Sequence, residues 1–514
     1  MHDPQVLVVG AGPTGLVLAL WLARSGVQVR VVDKAEGPGE ASRAVAVQAR
    51  TLELYDQLGF APEVVEGGIA VRAAHLREAG RDVATFAIGE IGAGLSPYPI
   101  VLSYPQDDHE RFLLGKLAEL GVRVDWGVAL RSLSQEEDGV EAVLDRGGQE
   151  ERCRAAYLCG CDGAHSAVRQ ALGIAFPGGT YDQLFYVADV HAEGAFDPDL
   201  VLNLGPGSLG LSLPVRSRSA QRWIGLVPPT LSDRDHVTFD DIRPEVERLL
   251  GRRAKTVNWF STYRVHHRVA ERFRAGRCFI AGDAGHIHSP AGGQGMNTGI
   301  GDAANLAWKL TEVVSGRAAP SLLDTYEPER IAFARRLVAT TDSVFSLMIA
   351  GGVRGRLIRT VLAPGLAPLA ARLAPLRRLM FRTVSQTRIH YRESALSAGR
   401  GGSVRGGDRL PWLASSEGGN FAPLRSLGWQ LHVYGQVAPK LSQAAAALQL
   451  PRHEFPWSDG AAAAGFERGA GYLVRPDGYV SLALPDNGAE ELTRFAAQWG
   501  LTFGRAAPLA STAA

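Results

Sequence analysis

The sequence predicts an α/β protein of several domains, and three features of its 514 residues support that prediction. First, residues 5–9 predict a strand that runs into a glycine-rich turn and an apolar helix, and residues 27–32 predict a second strand. Second, short β-like runs between residues 185 and 265 predict another sheet, inserted into the first domain. Third, a glycine-rich segment at residues 399–403 predicts a linker, followed by about 110 residues, which is a normal domain size.

Composition limits the classes of function. Lys and Arg total 54 against 53 for Asp and Glu, so no overall charge indicates a nucleic-acid partner. Four cysteines are too few for a disulfide scaffold and predict reduced thiols. No apolar run reaches the roughly 18 residues of a membrane span, and the N-terminus enters a strand without a leader, so we expect a cytoplasmic protein. Residues 343–392 contain nine arginines and no acid, which indicates either docking to an anionic membrane surface or a polyanion or, as we favour, solvated helix faces packed on the main body.

The first glycine-rich turn has the spacing Gly-x-Gly-x-x-Gly of a dinucleotide-binding motif. It lies between a strand and a helix, and Asp33 ends the second strand 18 residues after Gly15. Glycines there allow a tight turn and close approach to a pyrophosphate at the positive helix N-terminus, while Asp33 can accept a hydrogen bond from a ribose. The motif alone does not separate NAD from FAD. The residues assigned to this part of the site are Gly10, Gly12, Pro13, Thr14, Gly15, Asp33 and Lys34.

Two further segments favour FAD. Residues 161–169 follow a predicted strand and open a helix. Gly282 and Asp283 follow another strand, and a carboxylate at such a tip suits the hydroxyls of a ribityl chain. The next glycine-rich loop opens a helix, whose N–H groups and macrodipole favour the negative charge of a reduced flavin. From this loop we assign Pro290, Gly293, Gly295, Met296 and Asn297 to the flavin, with Pro290 lining its reactive face.

Together the three motifs resemble those of the class A flavoprotein aromatic hydroxylases, the para-hydroxybenzoate hydroxylase and phenol hydroxylase group, over residues 1–330. The resemblance implies that Asp162 and Gly163 lie near the FAD pyrophosphate and that Arg43 and Gln106 contact FAD. It extends to residues 406–412 and 472–479, which are similar to the thioredoxin-like domain of bacterial aromatic polyketide hydroxylases. Since no cysteine follows residue 278, that domain cannot perform dithiol chemistry.

The resemblance also implies how the chain is divided. The expected domains are a Rossmann-like FAD-binding domain (residues 1–75, 100–180 and 277–398), an inserted β-sheet substrate domain (76–99 and 181–276) and a thioredoxin-like domain (403–514).

The implied activity is a monooxygenase that uses NAD(P)H to reduce FAD and hydroxylates an aromatic substrate, phenolic or a polycyclic polyketide, with O2 through a flavin C4a-hydroperoxide. Because the cofactor performs the chemistry, we assign no side chain as catalytic. His286 and His288 lack a carboxylate or cysteine cluster beside them, so we expect them to support the flavin loop and predict no metal site. Alternatives are Baeyer–Villiger oxygenation, oxidative inactivation of a polycyclic antibiotic, and a flavin-binding protein without turnover. We expect a monomer or homodimer.

Overall fold

The computed structural model describes residues 3–39, 44–78, 81–194, 196–205, 208–215, 219–232, 234, 236–289, 292–349, 373–415, 418–485 and 488–503. The strands, in chain order, are β1 (Val6–Val9), β2 (Val29–Asp33), β3 (Ala46–Val47), β4 (Ile69–Val71), β5 (Ala73–Glu78), β6 (Arg81–Ala87), β7 (Val101–Ser103), β8 (Val124–Trp126), β9 (Val128–Gln135), β10 (Val140–Arg146), β11 (Gln149–Ala155), β12 (Tyr157–Gly160), β13 (Gly178–Ala192), β14 (Leu200–Gly205), β15 (Ser208–Val215), β16 (Ala220–Leu226), β17 (Ala254–Val269), β18 (Arg274–Ala275), β19 (Cys278–Ile280), β20 (His286–Ile287), β21 (Ala398–Gly401), β22 (Val404–Arg405), β23 (Gln430–Tyr434), β24 (Arg452–Phe455), β25 (Gly471–Val474) and β26 (Val480–Leu484).

The helices are α1 (Pro13–Arg24), α2 (Ala49–Leu58), α3 (Ala61–Gly67), α4 (Ile88–Ile91), α5 (Gln106–Glu119), α6 (Ala167–Ala171), α7 (Phe239–Leu250), α8 (Gly295–Val314), α9 (Tyr326–Ile349), α10 (Ala374–Val384), α11 (Pro439–Ala447), α12 (Asp459–Ala464) and α13 (Ala489–Trp499). Short 3-10 turns span Pro229–Leu231, Gly282–Ala284, Pro320–Thr325 and Gly419–Ser426. None of the described helices is long and apolar enough to cross a membrane.

A six-stranded sheet forms the centre of the first half of the chain. Its order is β18–β19–β12–β1–β2–β8, and every neighbouring pair except β18–β19 is parallel. All four residues of β1 are buried, as expected for a parallel sheet that is covered on both faces. Helices α1 and α8 contribute to the same buried apolar cluster as β1 and β12. The predicted Rossmann-like fold is therefore confirmed.

An eight-stranded sheet forms the second layer, in the order β20–β17–β13–β16–β15–β14–β5–β6. Strands β5 and β6 come from the segment between α3 and α4, and β5 adds to the sheet as the parallel neighbour of β14. Helix α7 covers one face of this sheet, where Phe239 and Ile242 pack with Trp223 in one buried cluster. Two three-stranded sheets, β11–β10–β9 and β3–β7–β4, complete the first 300 residues.

The C-terminal part has the thioredoxin-like order of elements, β23–α11–β24–α12–β25–β26–α13. Strand β23 pairs parallel with β24 and antiparallel with β25, and β25 pairs antiparallel with β26, as the predicted fold requires. The glycine-rich residues predicted as a linker instead form β21, which pairs with β26 in the same sheet. Gly399 has φ +79°, and a side chain there would overlap the carbonyl of Ala483, so its glycine serves close strand packing rather than flexibility.

The thioredoxin-like domain docks on the first domain through apolar and charged contacts. Trp308 of α8 packs edge-on against Trp429, with the ring centres 5.3 Å apart. Beside it, Arg475 donates to both carboxylate oxygens of Glu329 at 2.8 and 3.0 Å, and Lys309 donates to the same carboxylate at 2.9 Å. Burial alone would raise the pKa of Glu329, but the charges of Arg475 and Lys309 outweigh it and hold that pKa below its usual range. The docking surface therefore combines apolar contacts with buried ion pairs.

We expect Arg475→Met to destabilise the protein by about 3–5 kcal/mol, because it leaves the buried carboxylate of Glu329 short of its main counter-charge. The matched control is Arg425→Met, which removes an arginine that is 55% exposed beside Asp56 and should cost less than about 1 kcal/mol. Denaturant unfolding of both variants measures the difference. Equal losses of unfolding free energy would contradict this account of the interface.

Candidate active site

In the first glycine motif, two glycines lie where a side chain would collide with the backbone, and the third faces open space. A side chain at Gly10, which has φ +107°, would overlap the carbonyl of Cys161, and one at Gly15 would overlap the carbonyl of Gly10. At Gly12, which has an ordinary φ of −71°, no described atom lies within 4 Å of where a side chain would start. The space over Gly12 therefore fits a ligand that approaches the backbone closely.

This space lies at the N-terminus of α1, which begins at Pro13 directly after its N-cap residue Gly12. No side chain caps the helix, and no acidic residue occupies its first turn. The free N–H groups and the positive end of the helix macrodipole suit a phosphate. The donor set thus fits the pyrophosphate of FAD.

Asp33 closes the turn from the neighbouring strand. One of its carboxylate oxygens accepts from the backbone N–H of Ala11 at 2.7 Å, and the other accepts from that of Ala35 at 2.8 Å. A carboxylate has about four acceptor positions, so these bonds leave capacity for a ribose hydroxyl. Lys34, the next residue, is exposed.

The segment around Asp162 is tied to the turn that carries Asp283. Asp162 accepts from Ser166 Oγ at 2.5 Å and from the N–H of Val168 at 3.1 Å, which shapes the entry to α6. The Arg169 guanidinium donates to the carbonyls of Ala164 and Ala284, both at 2.9 Å. Gly163 has φ +77° and faces open space.

Three cofactor motifs converge at Thr14. A side chain at Gly282, which has φ +62°, would lie 2.5 Å from Thr14 Oγ1, and one at Gly299 in α8 would overlap the same hydroxyl. The turn Gly282–Ala284 is therefore packed directly on the start of α1 and on the first turns of α8. Asp283 itself is exposed at the tip of this turn.

Asp302 holds the turn Gly282–Ala284 in place, a role that the sequence did not indicate. Its carboxylate accepts from the N–H of Gly282 at 3.0 Å, from His286 Nε2 at 2.6 Å and from Arg330 Nε at 2.5 Å. Burial alone would raise the pKa of Asp302, but the charges of Arg330 and His286 outweigh it and lower that pKa to about 2. The predicted supporting role of His286 rests on this bond, and the described residues contain no group of three side chains that could hold a metal.

The glycine-rich loop before α8 is held by Asn297. Its side-chain oxygen accepts from the N–H of Gln48 at 2.9 Å and from Thr51 Oγ1 at 2.7 Å, and its Nδ2 donates to the carbonyls of Ala46 and Gly293 at 2.9 and 2.8 Å. The Asn297 amide is thus engaged by protein atoms, so a contact to the flavin would use its backbone N–H. Sequence reasoning missed the partners on β3 and α2, because nothing local marks them.

Five other residues were predicted to contact FAD, and the structure describes three of them. Gln106 begins α5, where its Nε2 donates to Glu110 at 2.7 Å and its N–H donates to the carbonyl of Ala44 at 3.1 Å. Gly295 is the first residue of α8, and Met296, next to it, is partly buried. Arg43 and Pro290 lie outside the described residues.

Comparison with known proteins identifies the family. A family model described as "FAD binding domain" matches residues 3–341. The chain belongs to this FAD-binding family. It is 35% identical over 532 aligned residues to the 6-methylpretetramide 4-monooxygenase of Streptomyces rimosus, covering 95% of this chain and 92% of the relative.

Solved structures extend the likeness to the whole fold. The flavin-dependent monooxygenase PieE, solved with FAD and substrate, superposes with a TM-score of 0.80 at 26% identity and covers 97% of this chain and 99% of its own. A second relative found by sequence, the dialkyldecalin synthase of Streptomyces rugosporus, is 35% identical over 350 residues, which cover 67% of this chain and 73% of the relative. The protein is thus an FAD-dependent monooxygenase of the aromatic hydroxylase class.

We expect Gly12→Val to fold normally but to lose most of its bound FAD. No described atom lies within 4 Å of the Cβ position at Gly12, so we expect the valine side chain to collide with the pyrophosphate and not with the described part of the chain. The control is Gly115→Val in the middle of α5, where a side chain also meets no described atom. Flavin absorbance per protein and thermal unfolding are measured on both. Normal FAD occupancy in Gly12→Val would place the dinucleotide elsewhere.

Removing the carboxylate in Asp283→Ala should weaken FAD binding by about 1–3 kcal/mol, or about 5- to 150-fold in Kd, the range for a hydrogen bond to a charged group. Because Asp283 is exposed at the tip of its turn, the fold should survive the change. Titration of the apoprotein with FAD gives the Kd. Asp324→Ala, at an exposed carboxylate paired with Arg274, serves as the control and should bind FAD as the wild type does.

Proposed function

We propose that this monooxygenase hydroxylates an electron-rich ring of a phenolic or polycyclic polyketide substrate with O2, using NAD(P)H as the reductant. The residues that we propose to hold FAD are Gly10, Gly12, Pro13, Thr14, Gly15, Asp33, Lys34, Arg43, Gln106, Asp162, Gly163, Gly282, Asp283, Pro290, Gly293, Gly295, Met296 and Asn297. The substrate class is supported by relatives such as the 6-methylpretetramide 4-monooxygenase.

An apolar sheet face opposite the cofactor loop carries this proposal. Paired residues of neighbouring strands share a face, and one such row runs through Val187, Ile224, Leu211 and Leu202. Because α7 covers the other face, this row is turned toward the FAD-binding domain. Such a surface suits a flat, largely apolar ring system.

The sheet and the cofactor loop meet at residues 44–46. From the sheet side, Arg222 Nη1 donates to the carbonyl of Ala44 at 3.2 Å, and Leu213 packs in one cluster with Val45. From the cofactor side, a side chain at Gly293 would lie 2.8 Å from the Cβ of Ala46. A substrate on the apolar face would therefore lie within reach of a flavin on the loop.

Bound FAD supplies the oxygen-transfer chemistry, and the chain supplies position and a dry environment. The apolar row excludes water from the reacting ring. The only described charges on the adjoining row are Asp189 and Arg222, which bind each other through two hydrogen bonds of 2.7 and 2.8 Å and are fully buried. Because the two charges neutralise each other, the apolar sheet face carries no net charge there.

Two other activities remain as candidates on the same site. Baeyer–Villiger oxygenation or oxidative inactivation of a polycyclic antibiotic would use the same cofactor and the same apolar sheet face. Only the product distinguishes these reactions from ring hydroxylation. The further alternative, a flavin-binding role without turnover, is disfavoured because the relatives include the monooxygenases for 6-methylpretetramide and pentachlorophenol. Turnover that consumes NAD(P)H in proportion to product separates the oxygenases from that role.

We further propose that the protein acts in the cytoplasm as a monomer or homodimer. The four cysteines are free and buried, which accords with a reducing compartment, and NAD(P)H is available there.

The test is a screen of phenols and polycyclic polyketides for substrate-stimulated NAD(P)H oxidation, with isotopically labelled O2. We expect one labelled oxygen atom on a ring carbon of the product. Leu211→Trp should raise the substrate KM about 5- to 150-fold, as overpacking of an apolar site by about 1–3 kcal/mol implies, with normal FAD occupancy. Leu120→Trp, at an exposed leucine after α5, is the control. Unlabelled product, or a lactone, would reject ring hydroxylation.

A further inference from the structure

Gln386 has an unusual backbone conformation for a buried residue. Four non-glycine residues in the described part of the chain have a left-handed φ, and Gln386, at φ 60°, is the buried one among them, with 4% of its surface exposed. This conformation is unfavourable for a residue with a Cβ atom and persists where the surrounding contacts hold it in place. The contacts of its side chain show what the conformation achieves.

The side-chain amide of Gln386 is clamped to the start of α8. Its Nε2 donates to Gln294 Oε1 at 2.7 Å and to Thr298 Oγ1 at 2.9 Å. In return, Gln294 Nε2 donates to the carbonyls of Gly292 at 3.0 Å and Val384 at 2.9 Å. The two amides therefore join the end of α10 to the glycine-rich loop, 92 positions away in sequence.

These bonds set the position of the α8 N-terminus. Gln294 is the N-cap residue of α8, but its side chain does not cap the helix, because the amide is used in the pairing with Gln386. Thr298, in the first turn, donates its hydroxyl to the Gln294 carbonyl at 2.9 Å. Gly292 and Gly293 both have left-handed φ angles, and glycine restrains its own backbone less than any other residue. Side-chain hydrogen bonds such as those of Gln294 therefore hold these two positions in place.

We propose that Gln386 is a positioning residue for the flavin, which fixes the loop and the α8 N-terminus through Gln294 and Thr298. This inference rests on the proposed placement of the flavin ring against that N-terminus. The N–H groups there stabilise negative charge only when they are held in one orientation. A loosened N-terminus stabilises the anionic reduced flavin less, so the reduction potential of bound FAD becomes more negative.

Gln386→Gly is the decisive variant, because glycine accepts the left-handed backbone while the amide is lost. The matched control is Gln449→Gly, the same substitution at an exposed glutamine with φ 54° in the thioredoxin-like domain. We expect both proteins to bind FAD. The potential of bound FAD should shift to more negative values, and its visible spectrum should change, in Gln386→Gly alone. The apparent FAD Kd should rise several-fold in that variant.

Gln294→Ala removes the other amide and completes a double-mutant cycle. We expect its effect on the potential to be non-additive with that of Gln386→Gly, because both break the same pairing. Gln386→Asn is the second variant, since asparagine tolerates the left-handed φ but its shorter amide cannot span to Gln294. A wild-type potential and spectrum in the holoproteins of Gln386→Gly or Gln386→Asn would overturn the proposal. Failure of the FAD placement itself would appear differently, as normal FAD occupancy in Gly12→Val.

Discussion

The buried ion pair between Asp302 and Arg330 is the interaction on which the cofactor site depends. Asp302 is fully buried and also accepts from the backbone of Gly282, so the carboxylate must stay ionised to hold the turn. Its charge is stable there because Arg330 lies 2.5 Å away and His286 Nε2 lies 2.6 Å away, since a buried carboxylate without a partner costs several kcal/mol. Arg330 is in turn held by the hydroxyl of Tyr391 at 2.8 Å and the carbonyl of Thr298 at 3.1 Å. The order of the turn that carries Asp283 therefore depends on the ion pair between Asp302 and Arg330.

The same requirement explains why a thioredoxin-like domain with no cysteine contributes to the fold. Glu329 is adjacent to Arg330 on α9 and is neutralised largely by Arg475 of that domain. Glu53 of α2 is likewise buried and bound by Arg409. The C-terminal domain thus supplies counter-charges to carboxylates of the FAD-binding domain. Its described contacts with that domain are therefore electrostatic as well as apolar.

Sequence reasoning succeeded where a requirement is local. Gly10 and Gly15 can be predicted, because a tight turn between a strand and a helix admits only glycine there. Asp302 and Gln386 could not be predicted, since an acid in a helix or an amide after one is usually a surface residue and only tertiary contacts show otherwise. The glycines at residues 399–402 were misinterpreted for a related reason. Glycine accompanies both flexible linkers and close strand packing, and the sequence alone does not distinguish the two.

The glycine-rich loop shows why the site cannot be contained in one motif. Glycine would make room for the flavin that we propose there, but it adds conformational entropy that must be overcome when the loop is ordered. Distant segments hold its described residues, since Asn297 binds residues of β3 and α2 while Gln294 binds Val384 at the end of α10 and Gln386 after it. Amides suit this task because each donates and accepts without adding a charge beside the cofactor. The glycine motif therefore determines where a cofactor can fit, and the long-range polar contacts determine how rigidly the loop and the start of α8 are held.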